Sequence, residues 1–269
     1  MRTRLEKGAS PRPFLCLAVC LLLWAPLPAS AADCSPPGKL HHAHVRYVID
    51  GDTLILDSGR HVRIVGLNAP EVGHDGSRDQ PFARAARQRL TRLLAATGEW
   101  VRWTAGPERH DHYGRTLAHV YVDGQDVSRA LLEAGLAAVV AIPPNVRRSA
   151  CYVAAERAAR LAGRGLWAPD AHVVHDAARP NSEGFQIVRG RVTDVAVKRP
   201  GTLLTLDGRL NVWIPAADQR YFHRPLDTLA GSRVLVRGWQ HDYHGRPEIV
   251  VHHPAALTVL EEAAPASRH

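Results

Sequence analysis

"HHAHVRYVIDGDTLILDSGRHVRIVGLN", residues 41–68, alternates apolar and polar positions in short runs, broken at Asp50-Gly51 and at Asp57-Ser58-Gly59. Alternation with period two between Asp-Gly turns predicts three short antiparallel strands. The chain then runs into "APEV", 69–72, where Glu71 follows Pro70 and stands eight residues beyond Arg63.

Working outward, the period changes to that of a helix over 77–100, where Phe82, Ala86, Leu90, Leu93 and Leu94 fall on one face and Gly98 offers a C-terminal stop. "EWVRWTA" and "TLAHVYVDG" read as strands on either side of the polar loop "GPERHDHYGR". Asp126 is placed to cap a helix over "DVSRALLEAGL", and a last helix covers "ACYVAAERAARLAGRGLW". Strands with helices inserted and appended predict a mainly β chain with helices (α+β): a five-stranded Greek-key barrel of the OB type over 41–169. Residues 170–184 have little periodicity and read as a linker. Over 185–260, "FQIVRGRVTDVAVK", "TLLTLDGRLNVWIP", "SRVLVRGW" and "PEIVVHH" predict a second, smaller OB-like β-barrel. The two units echo each other: "HDHYGR" at 110–115 returns as "HDYHGR" at 241–246.

The first 31 residues stand apart. Arg2, Arg4, Lys7 and Arg12 lead into the apolar run Phe14–Trp24, followed by Ala29 and Ala31 in an A-x-A pattern. The run is short for a membrane span, and the pattern predicts a signal peptide cleaved after Ala31, a secreted or periplasmic protein, and no stable membrane anchor after cleavage. Cleavage lowers the formal charge from +8 to about +5, which still suits an anionic partner such as nucleic acid. Cys34 and Cys151 are the cysteines that remain, and in an exported chain they are candidates for one disulfide.

Four segments of the first unit carry chemistry: "IDGDT" with Asp50 and Asp52, "VRIVGLNAPE" with Arg63, Asn68 and Glu71, "HDHYGR" with Asp111, Tyr113 and Arg115, and the closing "AERAARLAGRGLW". Their order and spacing resemble the staphylococcal nuclease family of thermonuclease-like phosphodiesterases over Val45 to Trp167. Phosphodiester hydrolysis needs an oriented water, positive charge on the phosphoryl oxygens and a leaving alkoxide. A carboxylate, two guanidiniums and a hard divalent ion supply these. By resemblance, Glu71 is the general base and Arg63 and Arg115 grip phosphate. Asp52, Asn68 and the backbone carbonyl of Ala69 ligate calcium, and Tyr113 helps hold substrate phosphate. Asp111 braces its loop.

The resemblance implies a calcium-dependent, low-specificity nuclease on DNA and RNA that leaves 3′-phosphate ends; nothing in the sequence fixes the oligomeric state, and a monomer is the expectation. Two departures stand out. Asn68 replaces a carboxylate and removes one negative charge from the metal site. "AAVVAIPPN", 137–145, has Ala141 and Pro143 where the family carries base-stacking tyrosines. Other divalent ions, or a catalytically impaired nucleic-acid-binding protein, are the alternatives these departures raise. The second unit lacks an Arg-to-Glu pairing and reads as non-catalytic. Trp213, Trp239, Tyr243, His244 and Arg246 form either part of a basic aromatic binding surface or, for the tryptophans, part of its core.

Overall fold

A computed structural model describes residues 34–263 apart from Pro37, Asp75 and 181–183. The leader expected over 1–31 lies outside the described residues. The first unit runs β1 (His41–Val48), β2 (Thr53–Leu56), β3 (His61–Ile64), β4 (Leu67–Asn68), α1 (Ala83–Ala95), β5 (Trp100–His110), β6 (Thr116–Val122), β7 (Gln125–Asp126), α2 (Val127–Glu133), β8 (Ala138–Val139) and α3 (Ser149–Leu161). Strands β3, β2, β1, β5 and β6 pair in that order, and a parallel β3–β6 pairing closes them into a five-stranded barrel. The three N-terminal strands thus stand where the alternation of 41–68 predicts them.

Local chemistry sets the boundaries. Helix α1 starts at Ala83, later than the apolar period suggests, because Phe82 takes a left-handed conformation (φ 69°) after Pro81. Ala86, Leu90 and Leu94 of α1 are buried against the barrel. Asp126 caps α2 by accepting a hydrogen bond from the Arg129 N–H at 3.0 Å. Strand β5 runs through half of the expected loop. Its ladder with β6 slips between Ala105 and His110, around Gly106-Pro107. There the Asn145 amide substitutes for a strand neighbour, accepting from the Glu108 N–H and donating to its carbonyl, both at 3.1 Å.

The second unit repeats the design. Strands β9 (Val174–Asp176), β10 (Gly184–Lys198), β11 (Gly201–Leu206), β12 (Leu210–Pro215), β13 (Arg233–Tyr243), β14 (Arg246–Val250) and β15 (Leu257–Glu261) form one sheet. Five of them close: β10–β11–β12 antiparallel, β12–β14 parallel, β14–β13 and β13–β10 antiparallel. Position for position this is the order of the first barrel, with 3-10 turns at Ala216–Tyr221 and Leu226–Leu229 where the first barrel inserts α1. Strand β9 lies within the stretch expected to be a linker, and β15 follows the last strand expected from the sequence.

The barrels are packed face to face. Leu235 and Arg237 alternate along one side of β13 and, with Ile187 of β10, are buried. Ala138, Ile187 and Leu235 form one apolar cluster with Trp167, Val173, Val174 and Phe185. Between the barrels Arg237 Nη2 pairs with Glu156 Oε1 of α3, and the other carboxylate oxygen accepts from the Val139 N–H at 2.7 Å. Arg237 also donates to the Ala255 carbonyl at 3.2 Å and to Thr258 Oγ1 at 3.1 Å. Cys34 and Cys151 are paired as a disulfide with Cα atoms 5.7 Å apart, tying the segment before β1 to α3. Among the described residues no helix is long and apolar enough to cross a membrane.

Candidate active site

The β1–β2 turn builds the floor of the site. Asp50 Oδ1 accepts from the Asp52 N–H at 2.9 Å, closing an Asx turn. Gly51 is required there by close approach: a Cβ would stand 2.6 Å from Ala69 Cβ and 2.7 Å from Ala86 Cβ, so α1 and the loop after β4 press directly on the turn. That packing buries both aspartates, Asp50 to 4% and Asp52 to 1% exposure.

Asp52 holds three elements together. Its Oδ2 accepts from the Ala69 N–H at 2.7 Å and lies 3.0 Å from Arg63 Nη2, while Oδ1 accepts from Thr53 Oγ1 at 3.0 Å. Burial pushes its carboxyl up to about 6 even against the opposing pull of Arg63, and the neighbouring Asp50 adds to the rise. Burial also raises Asp50, and the Glu71 carboxylate beside it raises it further.

Arg63 leaves β3 and is anchored from several sides. Nη1 donates to the carbonyls of Ile64 at 2.7 Å and Leu67 at 3.0 Å, and Nη2 donates to Asn68 Oδ1 at 3.0 Å. Glu71 is exposed, and its backbone is clamped by Gln80: the Glu71 N–H donates to Gln80 Oε1 at 2.9 Å and the Gln80 N–H to the Glu71 carbonyl at 3.0 Å. Arg115 comes from the β5–β6 hairpin. Asp111 shapes that hairpin by accepting from the Tyr113 and Arg115 N–H groups at 3.0 and 2.9 Å, and it accepts from Arg115 Nε at 2.7 Å. Partial burial pushes the Asp111 carboxyl up, but these donors outweigh it and hold the group below its ordinary range. The Arg115 guanidinium lies 5.3 Å from the centre of the Tyr113 ring.

These groups converge on one open cleft of about 680 Å³. Arg63, Asn68, Glu71, Tyr113 and Arg115 line it, and Asp52 and Ala69 stand behind its wall. Cys34 and Cys151 are paired at α3. Val140, Ile142 and Asn145 also line it, so the segment without tyrosines gives the cleft two aliphatic side chains and an amide. Three residues take places in the site that their local sequence leaves open. Asp50 looks like turn chemistry, and its burial comes from α1. Asn145 reads as a loop polar residue and holds the β5 rim. Trp239 reaches the cleft from the second barrel.

The donor chemistry suits a hard divalent cation. Asp50 and Asp52 are neighbouring buried carboxylates raised by burial, and the end of β4 beside them offers the Asn68 amide oxygen and the Ala69 carbonyl as neutral oxygen ligands. Among the described residues no group of three His, Cys, Asp or Glu side chains forms a ready cage. Asn68, a backbone carbonyl, water and ligand oxygens would complete the shell. A cleft with two guanidiniums and an accessible carboxylate can bind a phosphate and orient water toward it.

Comparison with known proteins agrees with this chemistry. The family described as staphylococcal nuclease homologue matches residues 61–169. The thermonuclease of Staphylococcus intermedius is 32% identical over 126 residues, which is 46% of this chain and 74% of that protein. Endonuclease YncB of Bacillus subtilis (strain 168) is 31% identical over 141 residues, 51% of this chain and 66% of that one. The probable endonuclease LCL3 of Paracoccidioides brasiliensis (strain Pb03) is 37% identical over 125 residues, 42% of this chain, and the match spans 35% of that protein's length. The matched region holds β3, Glu71 and the Arg115 hairpin, and with three quarters of a thermonuclease covered, this chain belongs to the staphylococcal nuclease family.

Proposed function

We propose that this protein is an exported, calcium-dependent nuclease that hydrolyses phosphodiester bonds of DNA and RNA with low sequence specificity and leaves 3′-phosphate ends. The observation that carries the reading is the convergence of Glu71, Arg63 and Arg115 from three separate elements on one cleft. Family membership and a basic chain with sequence pI near 9.8 support it.

In this reading Arg63 and Arg115 bind the scissile phosphate and neutralise the charge that grows on its oxygens. Glu71, on a loop clamped by Gln80, orients a water and takes its proton as the water oxygen bonds to phosphorus. The bond to the 5′-oxygen breaks, and that oxygen takes a proton from solvent. Asp52 and Asp50, with Asn68 and the Ala69 carbonyl, are the residues that would hold the cation, which when bound would add positive charge at the phosphate. Asp111 and Tyr113 aim Arg115. The chain acts as a monomer after its leader is removed.

The test is cleavage of plasmid DNA with calcium, magnesium or manganese and with chelator. Nicking and degradation that need a divalent ion, and that fall by about 10³-fold or more in Glu71→Gln with the thermal melt retained, are expected. Undiminished cutting by Glu71→Gln overturns its role. Shifted but uncut DNA in every ion favours binding without catalysis, the reading that the heavily tethered Arg63 guanidinium favours.

A further inference from the structure

The cleft is lined by the cationic Arg63 and Arg115, by carboxylates and by the aliphatic Val140 and Ile142, and beside the Tyr113 of its own hairpin it takes a large aromatic ring from the second barrel. Trp239 lines it from the second barrel. It is 46% exposed, an unusual state for so large an apolar ring. Its position is built. Leu235, Arg237 and Trp239 alternate on one side of β13. The first two are buried against the first barrel, the Arg237–Glu156 pair fixes the strand there, and the next residue on that side emerges at the cleft. Phe185 stands opposite Trp239 in the ladder and packs edge-on against it at 5.1 Å. Arg115 and the 73% exposed Tyr113 line the same cleft.

A ligand that matches guanidiniums beside an open, braced indole carries phosphate and a planar ring. We infer that Trp239 stacks on a nucleobase of the bound strand, so that the second barrel completes the substrate cleft of the first. This rests on the nuclease reading above. It makes the second barrel part of the active site and gives the cleft a stacking surface that 137–145 does not offer. Stacking on an aromatic face tolerates any base, in keeping with low sequence specificity.

The test uses the full chain and a labelled single-stranded DNA oligonucleotide in chelator, with affinity read by fluorescence anisotropy. Trp239→Ala weakens binding about ten-fold, and Trp239→Phe recovers most of it. In cleavage with divalent ion the loss falls on KM more than on kcat. An abasic site stepped along the oligonucleotide weakens wild-type binding at one position, and Trp239→Ala is indifferent there. Equal affinity of wild type and Trp239→Ala, or a wild type indifferent to the abasic site at every position, overturns the inference. The abasic series needs no variant, so it decides even if Trp239→Ala folds poorly. Wild type that cuts while Trp239→Ala keeps its KM sinks the stacking role alone. Wild type that neither binds nor cuts sinks the nuclease reading and the stacking role with it.

Discussion

Asn68 asks one oxygen to serve two purposes. Oδ1 accepts from Arg63 Nη2 at 3.0 Å, and the same atom is the candidate ligand that the family pattern assigns to a cation. A carboxylate offers one oxygen to Arg63 and a second, charged one to the ion. Asn68→Asp should therefore tighten calcium binding about ten-fold by calorimetry. An unchanged titration would show that residue 68 is not a ligand. Arg63, Glu71 and Arg115 were legible because their residue types sit at fixed spacings around "APE" and "HDHYGR". Asp50 stood out with Asp52 in "IDGDT", but its place was not legible, since Asp-Gly is ordinary turn chemistry. What sets it apart is Ala86 of α1 pressing on Gly51, a contact between residues 35 positions apart.

At the scale of elements, a buried polar chain joins barrel to helices. His119 of β6 meets the Tyr152 hydroxyl at 2.9 Å, and that hydroxyl donates to Asp126 Oδ2 at 3.0 Å, at the cap of α2. Burial, helped by Arg148 and Arg147, pushes His119 down from 6.5 to about 4. The folded state therefore keeps His119 neutral in a pH range where the unfolded chain protonates it. Its contribution to stability is present above about 6.5 and is lost as pH falls toward 4. The loss amounts to about 2 kcal/mol at pH 5. Asp50 and Asp52, raised by burial, act in the opposite sense, so the comparison between variants is what counts. Denaturant unfolding of His119→Gln should show a flatter decline from pH 7 to 5 than wild type, and parallel profiles would rule out His119 as the titrating group. Element boundaries tell the same story of local against distant causes. Strands β1 to β3 and the Asp126 cap followed from local pattern. The far half of β5 did not, because Gly106-Pro107 reads as a loop and Asn145 supplies the missing partner. Strands β9 and β15 are short edges defined by what they pair with.

The described residues form two barrels of one strand order, and the sequence echo acquires a structural meaning. "HDHYGR" and "HDYHGR" are the hairpins between the fourth and fifth barrel strands of each unit. In both, the aspartate accepts backbone hydrogen bonds within the turn, yet the first hairpin presents Arg115 to the cleft and the second leaves Tyr243 and Arg246 exposed. What the sequence conceals is the seam. Glu156 within "AERAAR" looks like a solvated helix residue, and Arg237 like an outward strand position, but their side chains are each 2% exposed. Arg160 lies 3.8 Å from the same carboxylate, and burial together with Arg237 lowers its guanidinium pKa. Taking one partner from such a pair leaves a charge in the interior, which costs about 3–5 kcal/mol, whereas replacing both with apolar groups removes that penalty. Arg237→Leu should therefore lower the unfolding free energy by about that amount, and Glu156→Leu with Arg237→Leu together should recover only part of it, because Arg160 then loses its carboxylate and the Val139 N–H its acceptor. Because Trp239 follows Arg237 on the same side of β13, the single variant should also weaken oligonucleotide binding under conditions where it remains folded. A double variant no more stable than Arg237→Leu would mean that the hydrogen bonds Val139 donates to Glu156 and Arg237 donates to Ala255 and Thr258, rather than the charges, hold the barrels in register.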